Sequence, residues 1–152
     1  MGLESIYTQI ITENSRSKEY KHPVEGATAV VKGVNPSCGD EIALQLRVKD
    51  GVIEEAAFVG DGCAISQASA SIMCGLIEGK PVKEAEHLAQ LFLKMIKGEV
   101  DESALDELED AQAFRDIAHM PARVKCAVLG WHTLEEALDT DKSGTEKKKS
   151  TC

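Results

Sequence analysis

Three cysteines and one aspartate carry the clearest chemistry in this sequence. They are Cys38, Asp40, Cys63 and Cys126. Three thiolates and one carboxylate are a sufficient ligand set for a tetrahedral zinc ion, and soft sulfur ligands favour zinc or an iron–sulfur centre over magnesium or calcium. A closed zinc site that only joins loops to a helix is one interpretation, although structural sites are usually built from Cys and His. The carboxylate favours a site that can open and let one cysteine react.

A β-hairpin is expected to bring the first two cysteines together. Apolar and polar residues alternate before the Asp-Gly pair at positions 50–51, and a second apolar stretch follows it. This pattern predicts two antiparallel strands joined by a two-residue turn. In that register Asp40 lies opposite Asp61, and Cys38 lies opposite Cys63. A bulge would shift the register by a residue but would leave both thiols at the same end of the hairpin.

The third cysteine lies on the last helix, which Pro121 opens and whose apolar stripe runs over residues 124–138. Cys126 stands two positions from the apolar residues on either side, so it projects roughly 160–200° away from that stripe. Arg123 lies on nearly the same side, and its positive charge would favour the thiolate form of a nearby cysteine. A thiol that turns away from the core is more typical of a site than of packing.

Hydrophobic periodicity predicts the elements that must position these residues. Helical stripes are found over residues 3–11, 64–77, 82–96 and 121–138, and β-branched residues predict a first strand over residues 27–34. Cys63 would stand at the N-terminus of the helix 64–77, where the helix dipole favours a thiolate. Trp131 and Phe92 fall on the helical stripes and are interpreted as core anchors.

Length, charge and cysteine number bound the possible functions. The 152 residues suit one domain, and a net charge of −9 argues against nucleic acid or an anionic membrane as a partner. The sequence contains neither an apolar run of about 18 residues nor a secretory pattern. Five cysteines are an odd number, which disfavours a disulfide framework and fits a reducing compartment. The expected location is the cytoplasm.

Several other features receive a structural interpretation. Cys74 lies in an apolar helix and is expected to be a core residue, whereas Cys152 ends a polar tail and is assigned no role. Residues 99–114 hold seven acidic residues and no basic one, which predicts a solvated loop with a short helix or, alternatively, a docking surface for a basic partner. The histidines lack ligand-like spacing and are interpreted as surface or structural residues: His22, His87, His119 and His132.

Three stretches together resemble one protein family. They read NPSCGD at residues 35–40, GCAISQASAS at residues 62–71 and ARVKC at residues 122–126. In this order they resemble the SufU-type branch of the IscU/NifU-like iron–sulfur assembly proteins, over about residues 3–139. The resemblance implies an α+β fold, SufE/IscU-like, in which a three-stranded antiparallel sheet packs against several helices. A single domain is expected over residues 1–139, and the polar, charged composition of the chain's end predicts a disordered tail over residues 140–152.

The resemblance also implies a function. It implies that zinc is bound by Cys38, Asp40, Cys63 and Cys126. Cys38 is then the acceptor of persulfide sulfur from a pyridoxal-phosphate-dependent cysteine desulfurase of the SufS type, and the sulfur passes on to SufBCD-type machinery. Arg123 is a candidate for supporting the site or binding the desulfurase. Our hypothesis is that docking of the desulfurase frees Cys38 from zinc, so that its thiolate attacks the donor persulfide.

Two positions favour sulfur transfer over the scaffold function found elsewhere in this family. Scaffold proteins carry a His directly before the last cysteine, where this chain has Lys125. They also carry a Leu-Pro-Pro-Val-Lys chaperone-binding stretch, where residues 120–125 here read MPARVK. A zinc-dependent sulfurtransferase is therefore the preferred interpretation. The alternatives are a scaffold that assembles a [2Fe–2S] cluster from iron on the same ligands, and a binding module with a structural zinc.

Overall fold

The chain folds as an α+β domain in which helices cover a small sheet. The computed structural model describes residues 3–36, 39–143 and 150–151. The elements in chain order are α1 (Leu3–Arg16), β1 (Ala29–Asn35), β2 (Asp40–Lys49), β3 (Val52–Asp61), α2 (Ala64–Ile77), α3 (Val82–Ile96), a 3-10 helical segment (Glu102–His119), α4 (Pro121–Ser143) and β4 (Ser150–Thr151).

The sheet has the strand order β3-β2-β1-β4. β1 pairs antiparallel with β2, and β2 pairs antiparallel with β3, which confirms the predicted three-stranded antiparallel sheet. The two residues of β4 add a short parallel pairing to β1 that the sequence did not predict. Helices α2 and α3 occupy the residues expected from their apolar stripes.

The β2–β3 hairpin has the predicted turn but not the predicted register at its far end. Lys49 pairs with Val52, as expected for a two-residue turn. A bulge close to the turn then shifts the pairing by one residue, so that Asp61 lies opposite Glu41. The prediction that Asp61 would oppose Asp40 is therefore wrong. The predicted pairing of the first two cysteines falls on residue 38, which lies outside the described residues.

Arg47 contacts both of the consecutive residues at the bulge. Its Nε donates to Glu54 at 3.0 Å, and its Nη1 donates to Glu55 at 3.1 Å. Two consecutive residues of β3 thus face one residue of β2, which is the defining geometry of a bulge. In β3 the two adjacent glutamates separate the buried residues Ile53 and Ala56, so the strict alternation of the strand is interrupted at the bulge.

Helix α4 lies at the centre of the fold, between the sheet on one side and α2 and α3 on the other. On the helical side Trp131 stacks on Phe92, with ring centroids 4.3 Å apart and planes 8° apart, which confirms both as core anchors. Phe114 meets Phe92 edge-on at 6.1 Å. On the sheet side Leu129 and Thr133 are fully buried. The helix is therefore buried on two faces, and the single apolar stripe read from the sequence describes only one.

The close approach of α4 to β1 depends on Gly33. A Cβ at this position would collide with the hydroxyl of Thr133 and would come within 3.2 Å of Leu129 Cδ1. A residue without a side chain lets the helix lie directly on the strand. Because Cys126 is one turn before Leu129 on this face, the same approach carries its thiol to the end of β1.

The acidic segment is more ordered than the predicted solvated loop. It forms the 3-10 segment, whose apolar residues Leu105, Leu108 and Phe114 are buried against the core. Its acidic residues between positions 102 and 110 are exposed, and Glu109 has a positive φ of 47° where the segment kinks. Packing of the buried apolar residues therefore holds this segment in place, and these acidic side chains are solvated.

Two helices extend beyond their predicted apolar stripes. Helix α1 continues to Arg16, beyond the stripe over residues 3–11, and α4 continues to Ser143, beyond the stripe that ends at residue 138. Residues 144–149 and 152 lie outside the described residues, so the domain boundary at residue 139 and the disorder of the tail stay predictions. Within the part of the chain that is described, no helix is both long and apolar enough to span a membrane.

A double-mutant cycle tests the contact between α4 and β1. Gly33→Ala should lower the free energy of unfolding by about 1–3 kcal/mol, because the new methyl group overpacks against Thr133. Adding Thr133→Ala should recover part of that loss, giving a coupling of about 0.5 kcal/mol or more. Urea unfolding of the metal-free single and double variants measures both quantities. Strictly additive effects would contradict the described contact.

Candidate metal centre

Cys63 is fixed at the start of α2 as its N-cap residue. Its backbone is extended, with φ −71° and ψ 168°, and its Sγ accepts a hydrogen bond from the backbone N–H of Ser66 at 3.5 Å. Capping of this kind satisfies one of the unpaired N–H groups at a helix start and places the thiol where the helix dipole favours negative charge. Gly62 just before it is required, because a Cβ there would lie 2.9 Å from an oxygen of Asp40 and would collide with Ser66.

Asp40 is a fully buried carboxylate at the start of β2. Its Oδ1 accepts a hydrogen bond from the backbone N–H of Cys63 at 2.8 Å, which ties the first residue of β2 to the N-terminus of α2. Its Oδ2 accepts from the Asn35 amide at 3.3 Å. Both donors are neutral groups, and neither compensates the negative charge of the carboxylate.

Cys126 reaches the same point from α4. It is 2% exposed, and its thiol donates to the Ala122 carbonyl at 3.8 Å and accepts from the Asn35 Nδ2 at 3.7 Å. The prediction that this thiol turns away from the core is therefore wrong in part. The thiol does lie off the apolar stripe that contains Trp131. The opposite face of α4 is covered by the sheet, however, so the thiol is enclosed.

These three residues form one cluster. An oxygen of Asp40 and the sulfur atoms of Cys63 and Cys126 all lie within 4.8 Å of one another. Ligands of a tetrahedral zinc ion with bonds of about 2.3 Å are separated by about 3.8 Å, so small shifts would close the set around an ion. The structure thus brings together three of the four predicted ligands from three different elements. The fourth, Cys38, lies outside the described residues.

The chemistry of the cluster fits a metal cation. A buried carboxylate is costly unless a positive charge or a metal ion compensates it. Among the residues that the structure describes, Asp40 is paired only with neutral donors, so a bound cation would compensate its charge. Two sulfur ligands beside the carboxylate select a zinc or iron centre over magnesium or calcium.

The remaining candidate residues stay apart from this cluster. Cys74 is fully buried in α2, where burial raises the pKa of its thiol, and this confirms it as a core residue. Within the described chain, no histidine belongs to the cluster. His87 lies on the surface, where its Nε2 is 3.1 Å from Oε1 of Glu107. Arg123 is exposed, one turn before Cys126 on α4.

Asn35 is the site residue that sequence reasoning missed. It is part of the motif NPSCGD but is given no role there, yet the Asn35 side chain is buried and contacts two of the clustered residues. The strand register explains this contact, because Asn35 stands at the last pairing position of β1, directly opposite Asp40.

Comparison with known proteins identifies relatives along almost the whole chain. The family profile of the NifU-like N-terminal domain matches residues 6–148. The iron–sulfur cluster assembly scaffold protein IscU of Thermotoga maritima is 44% identical over 139 residues, which cover 91% of this chain and 96% of that protein. The zinc-dependent sulfurtransferase SufU of Bacillus subtilis is 35% identical over 143 residues, covering 94% and 96%.

A solved structure shares the fold. The SufU protein of Fervidobacterium islandicum, described as an iron–sulfur cluster assembly scaffold protein for the SUF system, superposes with a TM-score of 0.82. It is 37% identical and covers 90% of this chain and 99% of its own.

Thiol labelling tests the different environments of the cysteines. In the folded, metal-free protein, iodoacetamide should modify Cys63 at least about 10-fold faster than it modifies Cys74. Cys63 is partly exposed, whereas burial disfavours the thiolate form of Cys74. Peptide mass spectrometry after timed quenching measures both rates. In urea the two rates should converge. Equal rates in the folded state would contradict the buried position of Cys74.

Proposed function

Because this chain belongs to the NifU-like N-terminal domain family, we propose that it acts in iron–sulfur cluster assembly as a zinc-dependent carrier of sulfur. The observation that carries the proposal is the convergence of Asp40, Cys63 and Cys126 within 4.8 Å. Relatives of this chain include a protein named as a zinc-dependent sulfurtransferase. The proposal therefore joins a metal-compatible cluster to a reaction for which thiols are required.

The ion would be held by the three clustered residues and by Cys38. Cys38 is two residues before Asp40 in the sequence, and two peptide units span at most about 7 Å. Chain connectivity thus keeps Cys38 within reach of the cluster, and it would complete a set of four ligands. Bound zinc would keep its sulfur ligands in the thiolate form, which is the nucleophilic form of cysteine.

Cys38 is the sulfur acceptor in this proposal, because the other two thiols are held by helices. Cys63 caps α2, and Cys126 is buried on α4. Next to Cys38, Gly39 is exposed, has a positive φ of 71° and faces open space. A side chain beside such an open position is better placed to meet a second protein than a thiol enclosed between a helix and a sheet.

The transfer is a thiol exchange without net oxidation. The Cys38 thiolate attacks the outer sulfur of a persulfide on the donor cysteine, a new sulfur–sulfur bond forms on Cys38, and the donor cysteine leaves as a thiolate. The donor is a pyridoxal-phosphate-dependent cysteine desulfurase of the SufS type, and the acceptor downstream is a SufBCD-type assembly complex. The exposed cation Arg123, one turn before Cys126, would support docking or the developing thiolate. The reducing cytoplasm suits this chemistry.

A cluster scaffold is the second candidate, because a relative that is 44% identical is named as a scaffold protein. The same four side chains would then receive iron and sulfide as substrates and hold a [2Fe–2S] cluster before passing it on. Anaerobic reconstitution separates the two functions. A stable cluster that transfers to an acceptor protein would favour the scaffold, whereas a protein that keeps zinc and accepts only sulfur would favour the carrier.

Two matched alanine variants test the metal site. Cys63→Ala should lower zinc affinity at least about 10-fold, because it removes one ligand of a four-ligand site, whereas Cys74→Ala should leave it unchanged. Native mass spectrometry of freshly purified proteins, followed by competition with a chelator, measures occupancy and affinity. Equal zinc binding by the two variants would place the metal elsewhere.

Replacement of Cys38 tests the acceptor. Wild-type protein incubated with a SufS-type desulfurase and cysteine should gain about 32 Da on Cys38, the mass of one persulfide sulfur. Cys38→Ala should gain none, while Cys74→Ala should behave like the wild type. Intact-protein and peptide mass spectrometry locate the added sulfur. Full sulfur uptake by Cys38→Ala would overturn the role of this residue.

A further inference from the structure

Asn35 is a buried polar residue at the junction of three elements. It is the last residue of β1 and is 1% exposed. Its Nδ2 donates to Asp40 Oδ2 at 3.3 Å on β2 and to Cys126 Sγ at 3.7 Å on α4. One amide group therefore joins two members of the metal-compatible cluster that are 86 residues apart in the sequence.

The other end of this amide contributes nothing to stability. Asn35 Oδ1 is buried and has no hydrogen-bond partner among the described residues. A buried polar atom without a partner lowers stability, so an apolar residue of the same shape would suit the packing better. The value of Asn35 must therefore lie in what its Nδ2 does.

A neutral donor is the group that this position requires. A lysine or arginine would neutralise Asp40 and would compete with a metal ion for the carboxylate, while an aspartate would repel both the carboxylate and a thiolate. The amide orients Asp40 and Cys126 without changing the charge of the cluster. Hydrogen bonds of this kind to metal-binding side chains fix their orientation and tune metal affinity.

We propose that Asn35 is a positioning residue that holds Asp40 and Cys126 in the arrangement that receives the metal. This inference rests on the proposed function, because it assigns a role toward the same ion. It predicts that loss of the amide weakens metal binding while the fold of the metal-free protein persists. A residue that served only packing would show the opposite pattern.

The experiment compares Asn35→Leu with Thr133→Val, using cobalt(II) as an optical probe and zinc in competition with a chelator. Thr133 is a fully buried polar residue on the same helix–strand contact, and its hydroxyl bonds only within α4, to the Leu129 carbonyl at 2.7 Å. Asn35→Leu should lower metal affinity about 10–100-fold and shift the cobalt absorption bands. Thr133→Val should change neither quantity. The melting temperatures of the two metal-free variants should agree within about 5 °C.

The outcomes separate this inference from the proposed function. If the wild type bound neither cobalt nor zinc tightly, the proposed function would fail and this inference with it. If the wild type bound tightly and Asn35→Leu matched it in affinity and cobalt spectrum, only the role of Asn35 would be overturned. Should Asn35→Leu not fold, Asn35→Asp decides, because it keeps the shape but replaces the donor with an acceptor. An unchanged cobalt spectrum in Asn35→Asp would then overturn the inference.

Discussion

A buried carboxylate whose partners among the described residues are all neutral is the constraint around which this corner of the protein is built. Asp40 accepts hydrogen bonds from the Cys63 backbone and the Asn35 amide, and these two contacts join β2 to α2 and to the end of β1. Neutral donors orient the carboxylate but leave its charge, so a cation is needed to make its burial favourable. Binding of a metal ion at this point would therefore be coupled to the stability of the elements that meet here.

The two sulfur positions depend on how α2 and α4 pack against each other. Ser69 on α2 donates to the Ala127 carbonyl at 2.6 Å and accepts from the Trp131 indole at 3.0 Å. These buried bonds lie next to Cys126 in the sequence and fix the depth at which its helix sits. Because Cys63 caps the start of α2, the same contact between α2 and α4 sets the position of the Cys63 thiol relative to the Cys126 thiol. The core and the site thus share one packing arrangement.

The different roles that we propose for the three thiols follow from the elements of structure that hold them. Cys63 and Cys126 are attached to helices whose opposite faces are in the core, so neither can move far without disturbing packing. A sulfur carrier needs at least one thiol that meets a partner, and in our proposal this thiol is Cys38, in the short connection between β1 and β2. A scaffold would use the same four side chains as a fixed cradle. The chemistry of the ligands is common to both functions, and what distinguishes them is whether one ligand leaves during the reaction.

Much of the secondary structure of this protein can be predicted from local sequence patterns. Helical periodicity and turn residues placed α2, α3 and the Asp-Gly hairpin, and they placed Cys63 at the N-terminus of α2, because these features depend on neighbours along the chain. The motifs also identified the residue types of the site. Only the tertiary structure determined the bulge beside Arg47, the burial of Cys126 against the sheet and the bridging role of Asn35. Those features arise from contacts between residues far apart in sequence, where the energy of packing two surfaces outweighs any local preference.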